Sequence, residues 1–232
     1  MSQKVFIFAV IHEAKPFLRG LRQSGQRLET LWHQNIPILD PAWSFQGGQV
    51  RVSGMGQKHA SELMEGLLCH SSDVVYTCGF AGGLNPKWAT GDVLYHADPE
   101  MEDVEYRLRR SGASPAHFAC ESRVATNRDE KASLFHQNQQ DAVEMESGVV
   151  REVCRRRGIR SATVRVISDA AHEDLPLDFN SLMTPDMRID GIRLALRLMG
   201  KPGKIAELIR FQSRLKLAAK RLADVLMTLT SP

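Results

Sequence analysis

VVYTCGFAGGL, residues 74–84, opens as an apolar, β-favouring run and ends in glycines. That pattern predicts a buried strand over Val74 to Cys78. Glycine just past such a strand lets backbone amides come close to a ligand, here Phe80, Ala81 and Gly82. Apolar runs of the same kind recur on both sides: Val5 to Val10, Gln49 to Ser53, Asp92 to His96, Arg123 to Thr126, Asp141 to Val143 and Ala162 to Ile167. Between them, His59 to Cys69 and Ser147 to Arg157 carry helical spacing, with Leu63, Leu67, Val149, Val150 and Val153 as inner faces. Strands alternating with amphipathic segments predict an α/β layered fold. The polar stretch from Pro99 to Ala119 reads as a surface excursion.

The chain has 232 residues, 43% of them apolar, enough for one sizeable core, so a single domain is expected over 1–232. VFIFAVI near the start is too short for a membrane span and lacks a cleavage site, which points to a cytoplasmic protein. Cys69, Cys78, Cys120 and Cys154 are far apart and form no metal-ligand spacing, so they read as free thiols and no metal is expected. The net charge of +3 is unevenly placed: Pro185 to Pro232 has ten Lys/Arg and four acids, and the rest of the chain is slightly acidic. With no helix-turn-helix, zinc-finger or RNA-binding pattern, nucleic acid is not an expected partner.

Three local signals suggest chemistry. SGMGQ (53–57) follows a strand and precedes a helix, so Gly54 and Gly56 are candidates for an anion or nucleophile pocket. It matches neither GxGxxG with its downstream acid nor a P-loop, and no nucleotide cofactor is implied. VRVISDAAHEDLPLDFN (164–180) ends its strand in Ser168 and Asp169, where open α/β sheets collect ligands, although both residues are also good turn and cap formers. AVEMES (142–147) sets Glu144, Met145 and Glu146 at another strand end, readable as a helix start or as a pair of functional carboxylates.

In order along the chain, AVIHE (9–13), VSGMG (52–56), CGFAGGLNPKWATGDVL (78–94), AVEMES (142–147) and VRVISDAA (164–171) resemble the purine nucleoside phosphorylase and nucleosidase superfamily. The pattern is most similar to that of the methylthioadenosine/S-adenosylhomocysteine nucleosidases. The resemblance implies a three-layer phosphorylase/hydrolase-like fold with a central mixed sheet, a small adenine nucleoside as substrate, and a homodimer or larger homo-oligomer. It also implies roles. Asp169 is the general acid toward N7 of adenine, its pKa raised by burial, with Ser168 orienting it. Glu146 accepts the ribose hydroxyls over Met145, with Glu144 on the same face or capping the next helix. Glu13 activates water, and Arg165 lies near that water or pairs with a core acid. Phe80, Ala81 and Gly82 belong to the substrate loop.

Hexameric phosphorylases carry an arginine two residues before the loop glycine, where this chain has Thr77, so water is the expected nucleophile, with Arg19, Arg22 or Arg27 left to serve phosphate. Phe80 replaces a small residue, and the shortened middle segment lacks the phenylalanine loop that stacks on adenine. LPLDFNSLMTPD and the basic tail are more similar to the hopanoid-associated (adenosylhopane) branch. Within a helical segment expected at about 188–230, Ile205, Leu208, Ile209, Leu215, Leu222, Val225 and Leu226 recur at helical spacing among cations. Such a helix either packs on the core or lies on an anionic membrane surface, a peripheral contact. A binding module without turnover is the reading from another class; Glu13, Glu146 and Asp169 together speak against it.

Overall fold

Ten strands join in one sheet among the residues that the computed structural model describes, 3–31, 41–67, 73–184, 186–187 and 190–230. In chain order they are β1 (Lys4–Phe8), β2 (Glu29–Leu31), β3 (Ala42–Phe45), β4 (Gly48–Val52), β5 (Val74–Gly83), β6 (Val93–Ala97), β7 (Ser114–Pro115), β8 (Phe118–Cys120), β9 (Ala142–Glu144) and β10 (Arg160–Asp169). The helices are α1 (Ile11–Gln23), α2 (Gln57–Gly66), α3 (Glu102–Arg110), α4 (Arg128–Asn138), α5 (Ser147–Arg156), α6 (Gly191–Leu198) and α7 (Pro202–Met227).

The strand order is β2, β3, β4, β1, β5, β10, β6, β7, with β9 pairing β5 and β8 pairing β9. β4, β1, β5 and β10 run parallel, so their carboxyl ends share one edge. β6 lies antiparallel to β10, and β9 antiparallel to the last residues of β5, which makes the sheet mixed.

Side chains alternate across a strand, and β1 uses both faces. Phe6 and Phe8 pack with Tyr76, with Phe17 and Leu21 of α1, and with Leu222 and Leu226 of α7. Val5 and Ile7 face the other way, onto Ala60, Leu63 and Met64 of α2 and Val150 and Val153 of α5. Helices on both sides of the sheet give the three layers, and each large side chain so buried contributes about 1.5–3 kcal/mol.

Several expected boundaries move. β5 runs on to Gly83, because its last residues pair with β9 as well as β10. β1 stops at Phe8 and α1 begins at Ile11, which brings Glu13 into a helix's first turn. Arg123 to Thr126 is a loop and not a strand: the Asn180 side chain bonds both the N–H (3.0 Å) and the C=O (2.8 Å) of Val124, in place of a neighbouring strand. The stretch 99–119 holds α3, β7 and β8 and is no mere surface excursion, since Val104 and Leu108 of α3 are core residues inside a heavily charged helix. Residues 68–69 of the helix expected at 59–69 lie outside the described residues. The tail helix divides in two: Leu222, Val225 and Leu226 are buried on the core, while Ile205 and Ile209 are exposed.

Candidate active site

The carboxyl edge of the parallel strands opens into a cavity of about 250 Å³. β1 and the start of α1 bring Ala9, Val10 and Glu13 to it, β5 brings Phe80, Ala81 and Gly82, β9 and its turn bring Glu144, Met145 and Glu146, and β10 brings Ser168 and Asp169. Val124, Leu175, Phe179, Met183, Phe211 and Leu215 build an apolar outer wall. The register of β10 against β5 slips between Ile167 and Asp169, a bulge of the kind that re-aims a side chain at a strand end.

Behind the cavity floor, three carboxylates surround one buried guanidinium. Arg165 Nη2 donates to Glu144 at 2.5 Å and to Glu146 at 3.3 Å, and Arg165 is fully buried. Burial alone would lower the pKa of Arg165, but Glu144, Glu146 and Glu13 outweigh it and raise it. Arg165 pairs with Glu144 and Glu146 beneath the cavity and is not among the residues that line it.

Glu144 lines the cavity, yet its oxygens are engaged inside the protein. They accept the Ser147 N–H (2.8 Å) and O–H (2.7 Å), the Glu146 N–H (3.1 Å) and Arg165, which caps the start of α5. Burial pushes its pKa up, but Arg165 and the Ser147 donors prevail and leave it below the usual carboxylate value. Glu146 goes the other way: burial pushes it up to about 7, Glu144 and Glu13 add to the rise, and Arg165 and the Gly56 N–H oppose it. Glu13 reaches back over the helix start. Its Oε2 accepts the N–H groups of Ala9 and Val10, each at 3.1 Å, and its Oε1 accepts the Phe80 N–H at 2.8 Å. Burial nevertheless raises its pKa against those bonds and Arg165.

Glycine is required where this cluster meets β5. A Cβ on Gly79 would lie 2.6 Å from Arg165 Nη1 and 2.7 Å from Glu13 Oε1, on a backbone with φ 154°. Gly54 and Gly56 do not offer the free amides expected of an anion pocket. The Gly54 N–H donates to the Ala9 carbonyl at 3.0 Å, and the Gly56 N–H, at the start of α2, donates to Glu146 Oε1 at 2.8 Å. The anion held at that helix start is Glu146 itself.

Asp169 is buried, and its Oδ1 accepts a short hydrogen bond from Ser168 Oγ, which also lies 3.2 Å from the Ala81 carbonyl. Its Oδ2 lies 2.5 Å from the ammonium of Lys131. Lys131 was not legible in the sequence: it sits in the charged run NRDEK, and α4 has no apolar stripe to suggest burial. Asn180, which shapes the loop at 123–126, was equally hidden. Phe179, Met183, Phe211 and Leu215 were visible only as tail and loop apolar residues. Arg19, Arg22 and Arg27 are exposed and do not line the cavity, and Thr77 is buried with its hydroxyl donating to Thr163 at 3.1 Å. Among the described lining residues the one cation is Arg123, paired with Glu130.

Residues 95–199 match the model of the Phosphorylase superfamily. A 5'-methylthioadenosine/S-adenosylhomocysteine nucleosidase of Shewanella halifaxensis is 26% identical over 165 residues, which are 56% of this chain and 72% of the relative. The fold matches futalosine hydrolase of Helicobacter pylori with a TM-score of 0.68 at 18% identity, covering 99% of this chain and 97% of that one. It also matches 5'-methylthioadenosine/S-adenosylhomocysteine nucleosidase from Helicobacter pylori, solved with butyl-thio-DADMe-Immucillin-A, with a TM-score of 0.68 at 17% identity over 99% and 98% of the two chains.

Proposed function

We propose that this enzyme, whose relatives are nucleosidases, splits the N-glycosidic bond of a 5'-substituted adenine nucleoside and releases adenine, with water as the nucleophile. One observation carries the reading: Glu13, Glu146 and Asp169, far apart in sequence, converge on a single cavity with an apolar wall. Breaking the bond leaves positive charge on the sugar and negative charge on the purine, so the site needs an acid on the base side and anions on the sugar side. Asp169 gives its proton toward N7. Glu146, steadied by Gly56 and Arg165, accepts the ribose hydroxyls, with Met145 beneath the sugar. Glu13 takes a proton from the attacking water, a task favoured by a carboxylate whose pKa burial has raised. The scarcity of cations along the lining supports water over phosphate.

The 5' group is apolar in this proposal, because Leu175, Phe179, Met183, Phe211 and Leu215 form the outer wall. Adenosine joined to a hopane skeleton is the substrate that the resemblance of the C-terminal segment suggests, and methylthioadenosine is the competing one. A lipid-linked substrate goes with peripheral contact at an anionic membrane through α6 and α7, and a homo-oligomer remains part of the reading. Chromatography of free adenine released from a panel of 5'-substituted adenosines, with and without phosphate, tests all of this. Release is expected without phosphate and fastest with a large apolar 5' group. Asp169→Asn is expected to slow it by about 10²–10⁴-fold. A requirement for phosphate would make the enzyme a phosphorylase, and an Asp169→Asn rate equal to wild type would remove Asp169 as the acid.

A further inference from the structure

We propose that Lys131 is a positioning residue for proton delivery, holding Asp169 and stabilising the carboxylate that Asp169 becomes as it gives up its proton; this rests on the nucleosidase reading above. The Lys131 side chain is 0% exposed, and lysine is almost never fully buried unless its charge is paired. Its ammonium donates to the Ala170 carbonyl at 2.9 Å and the Glu173 carbonyl at 2.8 Å, and pairs by charge with Asp169 Oδ2 at 2.5 Å, an oxygen without any other partner among the described residues. Two fixed carbonyls from the turn after β10 hold the cation in place, so it cannot swing away when Asp169 changes charge.

The neighbouring ionisable groups are otherwise occupied. Glu173 bonds the Ala170 N–H and Thr90 and pairs with Arg214, Asp174 pairs with Arg128, and Glu130 pairs with Arg123. Asp169 is therefore the one carboxylate in contact with Lys131 among the described residues. A neutral amide in the lysine's place would serve for anchoring alone; a buried ammonium adds charge where charge develops.

In the step, the bond from C1' to N9 breaks and its electron pair passes to the purine. The proton leaves Asp169 for N7, and Asp169 is left as a carboxylate beside an ammonium that keeps all three of its protons. The water oxygen bonds C1' and gives its proton to Glu13; both carboxyl groups then re-equilibrate with solvent. Lys131 thus lowers the barrier only where the leaving group needs a proton.

The test compares wild type, Lys131→Met and Lys131→Gln on an adenine nucleoside and on a 4-nitrophenyl riboside, whose leaving group departs without a proton, with Asp169→Asn as the control. Either lysine variant is expected to slow adenine release by about 10-fold or more, less than the loss of the general acid itself, and to leave the nitrophenyl riboside rate within about twofold. Equal slowing of both substrates, or of neither, overturns the proposal. If Asp169→Asn itself releases adenine at the wild-type rate, the acid reading fails first, and the two failures are told apart.

Discussion

In the role proposed for it, Glu146 meets the ribose hydroxyls and a cationic sugar with a full negative charge only while it is ionised. Burial pushes it up to about 7, helped by Glu144 and Glu13 and resisted by Arg165 and the Gly56 N–H. Below that pH the group is protonated and its charge is gone, so kcat/KM is expected to fall as pH drops through about 7 and to level off above it; a pH–rate profile of the free enzyme's reaction reads this directly. Glu146→Gln should abolish the limb and weaken binding of a non-reactive nucleoside analogue by about tenfold or more, the worth of hydrogen bonds to a charged group. Glu13→Gln should instead lower kcat and leave that affinity nearly unchanged. An unaltered analogue affinity in the Glu146 variant would take the ribose from Glu146.

The elements differ in how openly the sequence declares them. β1, β5 and β10 are apolar on both faces because helices cover both, and such runs are readable without knowing what covers them. AVEMES left two readings open, a helix start or a functional pair, and the structure separates Glu144, whose carboxylate bonds the N–H groups at the start of α5, from Glu146, whose carboxylate bonds Gly56. α3 and α4 were missed because charge dominates their sequences. In α3 the inner pair Val104 and Leu108 sits among Glu102, Asp103, Glu105, Arg107 and Arg109. In α4 the deepest side chain is a lysine, whose burial depends on the turn after β10 some 39 residues away. The segment 123–126 looks like a strand, but Val124 bonds the Asn180 side chain and Thr126 bonds Glu130 and Leu175, contacts that no local pattern announces. In α7, packing separates leucines that composition alone does not. Leu222 is fully buried against the sheet, whereas Leu217 is 64% exposed. Leu222→Ala is expected to destabilise the fold by about 2–5 kcal/mol and Leu217→Ala by less than about 0.5 kcal/mol, measured by denaturant unfolding. Equal losses would mean that α7 is not docked as described.

On the scale of the whole molecule, the cavity at the sheet's carboxyl edge and the basic tail are neighbours. α7 packs on the core from Ala218 to Leu226 and reaches the cavity with Phe211 and Leu215. α6, packed on α7, turns Ile192, Leu196 and Met199 outward at 76%, 60% and 69% exposure. Their spacing of four and three residues makes one apolar stripe, with Arg193 and Arg197 beside it. No helix among the described residues is long and apolar enough to cross a membrane. In the proposed membrane contact, this helix would lie on an anionic bilayer, its apolar side chains inserted and its cations at the headgroups. Sedimentation with vesicles is expected when they contain anionic phospholipid, to weaken in vesicles of neutral lipid, and to be lost at high salt because the charges are screened. Ile192→Ser/Leu196→Ser/Met199→Ser and, separately, Arg197→Gln/Arg210→Gln should each reduce it without changing turnover of a soluble nucleoside; Arg214 is left alone because it pairs with Glu173. If no vesicle carries the protein down and the triple serine variant instead changes the particle mass in light scattering, the stripe is covered by a second copy of the chain. The lipid contact would then have to be abandoned, leaving the cavity chemistry as it stands.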